Sequence, residues 1–176
     1  PLIYLALNVL YILIFSIASI WSFKKLDSIS NGKMNKIAVL IPAYKEDGVI
    51  VDSAIEASCH NYPKDRFDVF VIADQLQPST VEKLTKTGVE VITVMFEKSS
   101  KAKALNTALN QLEGYDIAVV LDADNIMLPD FLKQVNEAYN NGSMAIQGQR
   151  IAKNEQNTLA RLDAISEGIN NNIFRS

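Results

Sequence analysis

"KIAVLIPAY", residues 36–44, decides the fold. Positions 37–43 are apolar without a break, so both faces of the segment seek burial. A strand with one wet face would alternate polar and apolar residues. An unbroken run of this length fits a strand covered on both faces, as in a parallel sheet packed between helices. The run ends in Tyr44, Lys45 and Glu46, a polar exit that reads as a loop leaving the carboxyl end of the strand.

Three further runs share this character: "DVFVIAD" (68–74), "VEVITVMF" (89–96) and "YDIAVVLDAD" (115–124). Helical patterns separate them, in "GVIVDSAIEASCHN" (48–61), "PSTVEKLTKTG" (78–88) and "SKAKALNTALNQLEG" (100–114). In the last, Ala104, Leu105, Ala108, Leu109 and Leu112 share one helical face, and Ser99 or Ser100 can cap its start. Gly88 and Gly114 stand where C-terminal caps are expected. A fourth helix is predicted from near Pro129 or Asp130, a fifth strand in "SMAIQGQRIA" (143–152) and a last helix in "TLARLDAISEGINNNIF" (158–174). Strand–helix alternation predicts an α/β fold, a mostly parallel sheet with helices on both faces. Ligands of such sheets bind at the carboxyl ends of the strands.

The beginning of the chain differs. Residues 2–23, "LIYLALNVLYILIFSIASIWSF", contain no charged residue. At about 1.5 Å per residue they are long enough for a hydrocarbon core of about 30 Å. Trp21, Lys24 and Lys25 form an aromatic and basic border, and Lys33 and Lys36 follow on the same side. A transmembrane helix over residues 1–24 is therefore expected, with the rest of the chain cytoplasmic. A short polar linker is expected at 25–35, a ligand-binding domain at 36–150, and the start of a further region at 151–176. Net charge is −3, so nucleic acid is not expected as a partner. Cys59, the single cysteine, excludes an intrachain disulfide and reads as a half-buried residue at a helix end, and His60 has no partner at ligand spacing.

The polar residues at the strand ends carry the chemistry. The first strand ends in "PAYKED", the second in Asp74 and the fourth in Asp122 and Asp124. In an extended strand end, residues one apart in the D-x-D point to the same side. Two carboxylates there repel unless a cation lies close. Mg²⁺ takes few carboxylates and completes its shell with water and phosphate oxygens, so the pair suits a site in which the substrate supplies the remaining ligands. Lys98, Lys101 and Lys103 cluster at a predicted helix start, an unfavourable place for cations unless an anion binds there. Neither a G-x-x-x-x-G-K-[ST] loop nor a G-x-G-x-x-G turn is present, which argues against a P-loop NTPase or a dinucleotide site.

"VLIPAYKE", "VFVIAD", "KSSKAKALNTAL" and "VVLDADN", in that order between residues 36 and 150, resemble the inverting family 2 glycosyltransferases, whose donor-binding domain has the Rossmann-like GT-A fold. The resemblance implies that Pro42, Ala43, Tyr44 and Glu46 wrap the nucleobase and ribose, and that Asp74 accepts a hydrogen bond from the base. Lys101 would lie near the nucleotide, Asn106 belongs to the same matched motif, and Asp122 would contact ribose or metal. Asp124 would coordinate Mg²⁺ or Mn²⁺ on the diphosphate. The implied partners are a nucleotide-sugar donor, a UDP-sugar first among them, a carbohydrate or lipid acceptor, and the membrane.

Two departures stand out. After Asp74 the chain reads Gln75-Leu76-Gln77, where the family has further acidic or serine residues. The family's general base, a later Asp in an acidic motif, and the Q-x-x-R-W of processive members do not occur up to Ser176, so the base is expected beyond it. Asp163 reads as a residue of an amphipathic helix. The chain is thus expected to be the donor-binding half of a membrane transferase. The alternative is a membrane-anchored nucleotide-binding or assembly module of the same fold without catalysis. A nucleotidyltransferase would usually carry a Gly- and Arg-rich loop after the first strand, which "PAYKED" is not.

Overall fold

The structure, a computed structural model, describes residues 2–21 and 32–148. Two compact units divide the chain; Ser28–Met144 holds the sheet. There the order is β1 (Ile37–Tyr44), α2 (Ile50–Ala57), β2 (Phe67–Asp74), α3 (Pro78–Lys86), β3 (Glu90–Val94), α4 (Lys101–Leu109), β4 (Ile117–Val120) and α5 (Phe131–Asn140). The four strands form one sheet in the order β3-β2-β1-β4, and each pairing is parallel.

Alternate residues of β1 and β2 serve opposite faces, as the two-residue period of a strand requires. Ile37, Val39, Ile41, Val69 and Val71 pack with Ile50 and Ala54 of α2, Leu84 of α3 and Leu132 of α5. Ala38, Leu40, Phe70 and Ile72 pack with Ala104 and Ala108 of α4. Both faces are therefore covered by helices. The expectation of burial on both faces holds for β1 and β2 but not for the other two runs. Among the described residues β3 and β4 are the sheet edges, and each leaves residues exposed.

Helix ends follow local chemistry. Ser100 caps α4, its hydroxyl accepting from the Lys103 N–H at 3.3 Å. Gly88 takes a φ of +84° just past the end of α3, as a cap residue does. Gly114 also has positive φ, but it lies beyond the Asn110 cap of α4 and turns the chain toward β4 instead. Cys59 is exposed, not half-buried, because it follows the last turn of α2. Of the predicted fifth strand, residues 143–148 are described and carry none; its remainder, the last helix and Asp163 lie outside the described residues.

The strand-leading segment is pinned at the amino-terminal end of the sheet. Asn35 is buried, and both its backbone N–H and its side-chain amide donate to Asn136 Oδ1 of α5, at 3.0 and 2.7 Å. The Asn35 amide also reaches Asn140 Oδ1 at 2.8 Å, and the amides of Asn136 and Asn140 both donate to the Lys33 carbonyl. Tyr62 donates its hydroxyl to the Asn35 carbonyl at 2.8 Å. With the cluster on the other face of the sheet, Tyr115 donates to Asp68 at 2.7 Å and Lys36 lies over the Tyr115 ring. Burial first, then the Asp68 bond, push the Tyr115 hydroxyl up to about 12.

α1 (Leu2–Trp21) belongs to the other unit. It contains no charged residue, and its only described side-chain amide, Asn8, donates back to the Tyr4 carbonyl at 2.8 Å. Its described side chains are those of residues 3–15 and 17. Among the described residues no helix is long and apolar enough to cross a membrane. Within the transmembrane segment expected over residues 1–24, Leu2–Trp21 is helical, and Lys24 and Lys25 lie outside the described residues.

Candidate functional site

β1 and β2 end level, with Tyr44 paired to Asp74. The next residue of each chain segment, Lys45 and Gln75, has a φ of +57°. Few non-glycine residues adopt this region, and where they do the backbone is held there by its surroundings. Here the Lys45 N–H donates to the Asp74 carbonyl at 3.2 Å. Both segments turn sharply off the sheet, and a space opens over the strand ends. Asp47 joins the two loops: its carboxylate bonds to Thr80 and accepts from the Gln77 N–H at 2.8 Å. The Thr80 bond first, then the Gln77 bond, hold the Asp47 carboxyl below its usual range.

The opposite wall follows β4. The Leu121 N–H still donates to the Leu40 carbonyl at 2.9 Å, and then pairing ceases. Asp122 to Asn125 form a turn, closed by the Asn125 N–H on the Asp122 carbonyl at 3.0 Å. The D-x-D is therefore not on an extended strand end, as expected from the sequence. β4 stops at Val120. Asp122 and Asp124 line one cavity because a turn carries them there, not because of the pleat. The Asn125 amide adds a 3.4 Å contact to Asp122 Oδ2. Ser53 of α2 donates its hydroxyl to the Ala123 carbonyl at 2.5 Å.

The third wall is the start of α4. Lys101 forms an ion pair with Asp122 through Oδ1. Lys103 is turned back to the Lys98 carbonyl at 3.0 Å, so of the three clustered lysines Lys101 is the one lining the cavity.

The cavity measures about 410 Å³. Eight of the nine residues singled out from the sequence line it: Pro42, Ala43, Tyr44, Glu46, Asp74, Lys101, Asp122 and Asp124. The ninth, Asn106, is exposed on α4 and does not line it. Ser99, Ser100, Ala104 and Ala123 line it as well. From the sequence alone, Ser99 and Ser100 are candidates only for the helix cap. Ser53 was not singled out at all, although a signal existed: it falls on the buried stripe of α2 with Ile50, Ala54 and Ala57, a place for an apolar side chain.

Two features of the cavity invite a ligand. Asp74 is 3% exposed, and its Oδ1 has no hydrogen-bond partner. An unsatisfied buried acceptor costs about 1–3 kcal/mol, more when charged, so a donor group entering here is bound with advantage. At the other wall two carboxylates share one turn. Among the described residues no third His, Cys, Asp or Glu joins them in a metal-holding group. Such a donor set fits a divalent cation whose remaining ligands are water and phosphate oxygens.

Fold and site define a ligand-binding domain of the parallel α/β class, with its cavity at the carboxyl edge of the sheet. The chain belongs to glycosyltransferase family 2, a family of transferases: the profile described as "Glycosyltransferase like family 2" matches residues 35–169. It is 28% identical over 123 residues to the glucans biosynthesis glucosyltransferase H of Rhodopseudomonas palustris (strain TIE-1), which covers 62% of this chain and 17% of that protein. In structure it is similar to a mannosyltransferase from Pyrobaculum calidifontis in complex with GDP-Man and Mn²⁺, at 24% identity and a TM-score of 0.60, over 72% of this chain and 39% of that one. It is also similar to S. aureus TarS in complex with UDP-GlcNAc, at 20% identity and a TM-score of 0.52, over 68% and 38% of the two chains. These likenesses establish the GT-A-like sheet.

Proposed function

We propose that this chain is the donor-binding part of a metal-dependent transferase that moves a sugar from a nucleotide-sugar, a UDP-sugar in the first instance, to a carbohydrate or lipid acceptor with inversion. The observation that carries the reading is the pairing, in one cavity, of the buried Asp74 carboxylate, whose Oδ1 has no partner, with the Asp122–Asp124 turn and Lys101. One end suits a base that donates an N–H, and the other suits a diphosphate. The named relatives support it, since one binds GDP-Man with Mn²⁺ and another UDP-GlcNAc.

In this reading the base donates to Asp74 and lies beside Tyr44, whose exposed ring is backed by Lys45 at 5.1 Å. Pro42, Ala43 and Glu46 line the ribose side, and Lys101 offers its charge to the phosphates. Asp122 and Asp124 would hold Mg²⁺ or Mn²⁺, which when bound neutralises charge developing on the departing diphosphate. Inversion follows when an acceptor hydroxyl attacks the anomeric carbon opposite the leaving diphosphate as that C–O bond breaks. The hydroxyl's proton goes to a general base, a role assigned to no residue here and expected beyond Ser176. The chain spans 17% of the curated relative it matches, so the activity of the whole protein is part of the proposal.

The proposal includes membrane attachment through α1, with the sheet on the cytoplasmic side. It is supported by the uncharged sequence of the helix and by the exposure of Ile3 to Phe15 along it, large apolar side chains that water does not favour. The chain should float with lipid vesicles, and a form lacking residues 1–21 should not.

The deciding experiment titrates the chain with UDP and with GDP, with and without Mn²⁺, by calorimetry. UDP should bind, more tightly with Mn²⁺, and Asp124→Ala should lose the gain due to metal while keeping its fold by circular dichroism. A folded chain that binds neither nucleotide under either condition would overturn the reading.

A further inference from the structure

Ser53 occupies an unusual place for a hydroxyl, on the buried stripe of α2. A buried hydroxyl is costly unless bonded. Within a helix its ordinary partner is the carbonyl four residues back. Here that is Val49, whose carbonyl accepts the Ser53 backbone N–H at 3.1 Å. The Ser53 hydroxyl instead leaves its own helix and donates to the Ala123 carbonyl at 2.5 Å. That carbonyl belongs to the peptide joining Ala123 to Asp124, the middle of the D-x-D turn.

The position of this bond matters. Sheet pairing has ended at Leu121, and the turn bond from Asn125 engages the Asp122 carbonyl. Neither of those bonds holds the Ala123 carbonyl itself. Ser53 does, tying the peptide between the two carboxylates to the buried face of α2 and limiting how far the turn that carries them can shift. Chain just beyond α2 holds the same loop further on, where the Asn61 N–H donates to the Pro129 carbonyl at 2.9 Å and the Asn61 amide reaches Asp130 at 3.0 Å.

We infer that Ser53 is a positioning residue for the cation and diphosphate end of the cavity: it fixes the peptide between Asp122 and Asp124, so that both carboxylates are presented together. The inference rests on the donor-binding reading above. Ser53 does not line the cavity and touches neither carboxylate side chain in the contacts described; it acts through the backbone.

The test is a Mn²⁺ titration of the full chain in saturating UDP, alongside a UDP titration without metal, for wild type and for Ser53→Ala, Ser53→Thr and Ser53→Cys. Outer groups that orient metal ligands typically contribute about 10- to 100-fold in metal affinity. Ser53→Ala should weaken Mn²⁺ binding about tenfold, the lower end, because the restraint is on the backbone. Metal-free UDP binding should stay within about twofold, and Ser53→Thr, which keeps the hydroxyl, should restore Mn²⁺ affinity. Should Ser53→Ala not fold, Ser53→Cys decides, being of similar size with a weaker donor, and should weaken Mn²⁺ binding. Unchanged Mn²⁺ affinity in a folded Ala or Cys variant overturns the inference. So does an equal loss of metal-free UDP binding, which would make Ser53 a general support of the cavity. A wild-type chain that binds neither Mn²⁺ nor UDP defeats the donor-binding reading itself.

Discussion

Replacing Asn136 with alanine should destabilise the domain far more than the same change at Asn140, one turn further along α5. Asn136 Oδ1 accepts from the Asn35 N–H at 3.0 Å and from the Asn35 amide at 2.7 Å. Once it is gone, the amide still has Asn140 Oδ1, and the Lys33 carbonyl still has the Asn140 amide. The Asn35 backbone N–H loses its acceptor, and Asn35 is 1% exposed, so water does not replace it. One orphaned buried donor plus the lost bonds sums to about 2–4 kcal/mol. At Asn140 every partner is shared with Asn136, so Asn140→Ala should cost below about 1 kcal/mol. With a urea slope of about 1–3 kcal/mol per molar, the midpoints of the two variants should differ by about 1 M, and by at least about 0.3 M. The assay is urea unfolding followed by circular dichroism. The network sits at the start of β1 and the cavity at its end, so nucleotide affinity should be the same in both folded variants. Equal midpoints for the two variants would refute the reasoning, because they would mean that Asn35 is not the group being orphaned.

Lys101→Met removes the cation paired with Asp122. Nucleotide-free Mn²⁺ affinity should rise by about two- to fivefold, the scale of a half-exposed ion pair, while UDP binding weakens; a fall in Mn²⁺ affinity would contradict the pairing. Tyr115 has its hydroxyl pushed up to about 12, above the usual value of 10. The folded state therefore favours the protonated form, a contribution complete below pH 10 and lost as pH rises toward 12. Urea midpoints at pH 9 and 11.5 should fall more steeply in the wild type than in Tyr115→Phe, and parallel falls would exclude the linkage.

The parts of the fold that were legible in the sequence are those set by local pattern. The run at 37–43 had to be buried on both faces, and β1 lies between β2 and β4 with helices above and below. What was not legible depends on partners far along the chain. The run at 117–121 is as unbroken in apolar residues as the first, yet β4 has Val120 exposed, because among the described residues it is a sheet edge and only the strand order reveals that. The same ending of β4 moved Asp122 and Asp124 from a strand to a turn. Asn35 read as part of a linker, since a lone asparagine carries no sign of a partner 101 residues away. At the site, strand ends and acidic residues could be read directly, and eight of the nine residues converge. Asn106 followed from a motif and not from a face: on α4 it is Ala104 and Ala108 that meet the sheet.

The strand order has a consequence for the chain as it is made. β1, buried along most of its length, emerges before β2 and pairs with it soon after, but its other neighbour is β4, which is not complete until Val120. Until then one edge of β1 stands open, an apolar template with free backbone groups, and the interval spans the whole of α3, β3 and α4. The turn bearing Asp122 and Asp124 arrives with β4. A ligand that needs both Asp74 and this turn can bind only after β4 has paired with β1, so binding would report, and by mass action reinforce, that pairing.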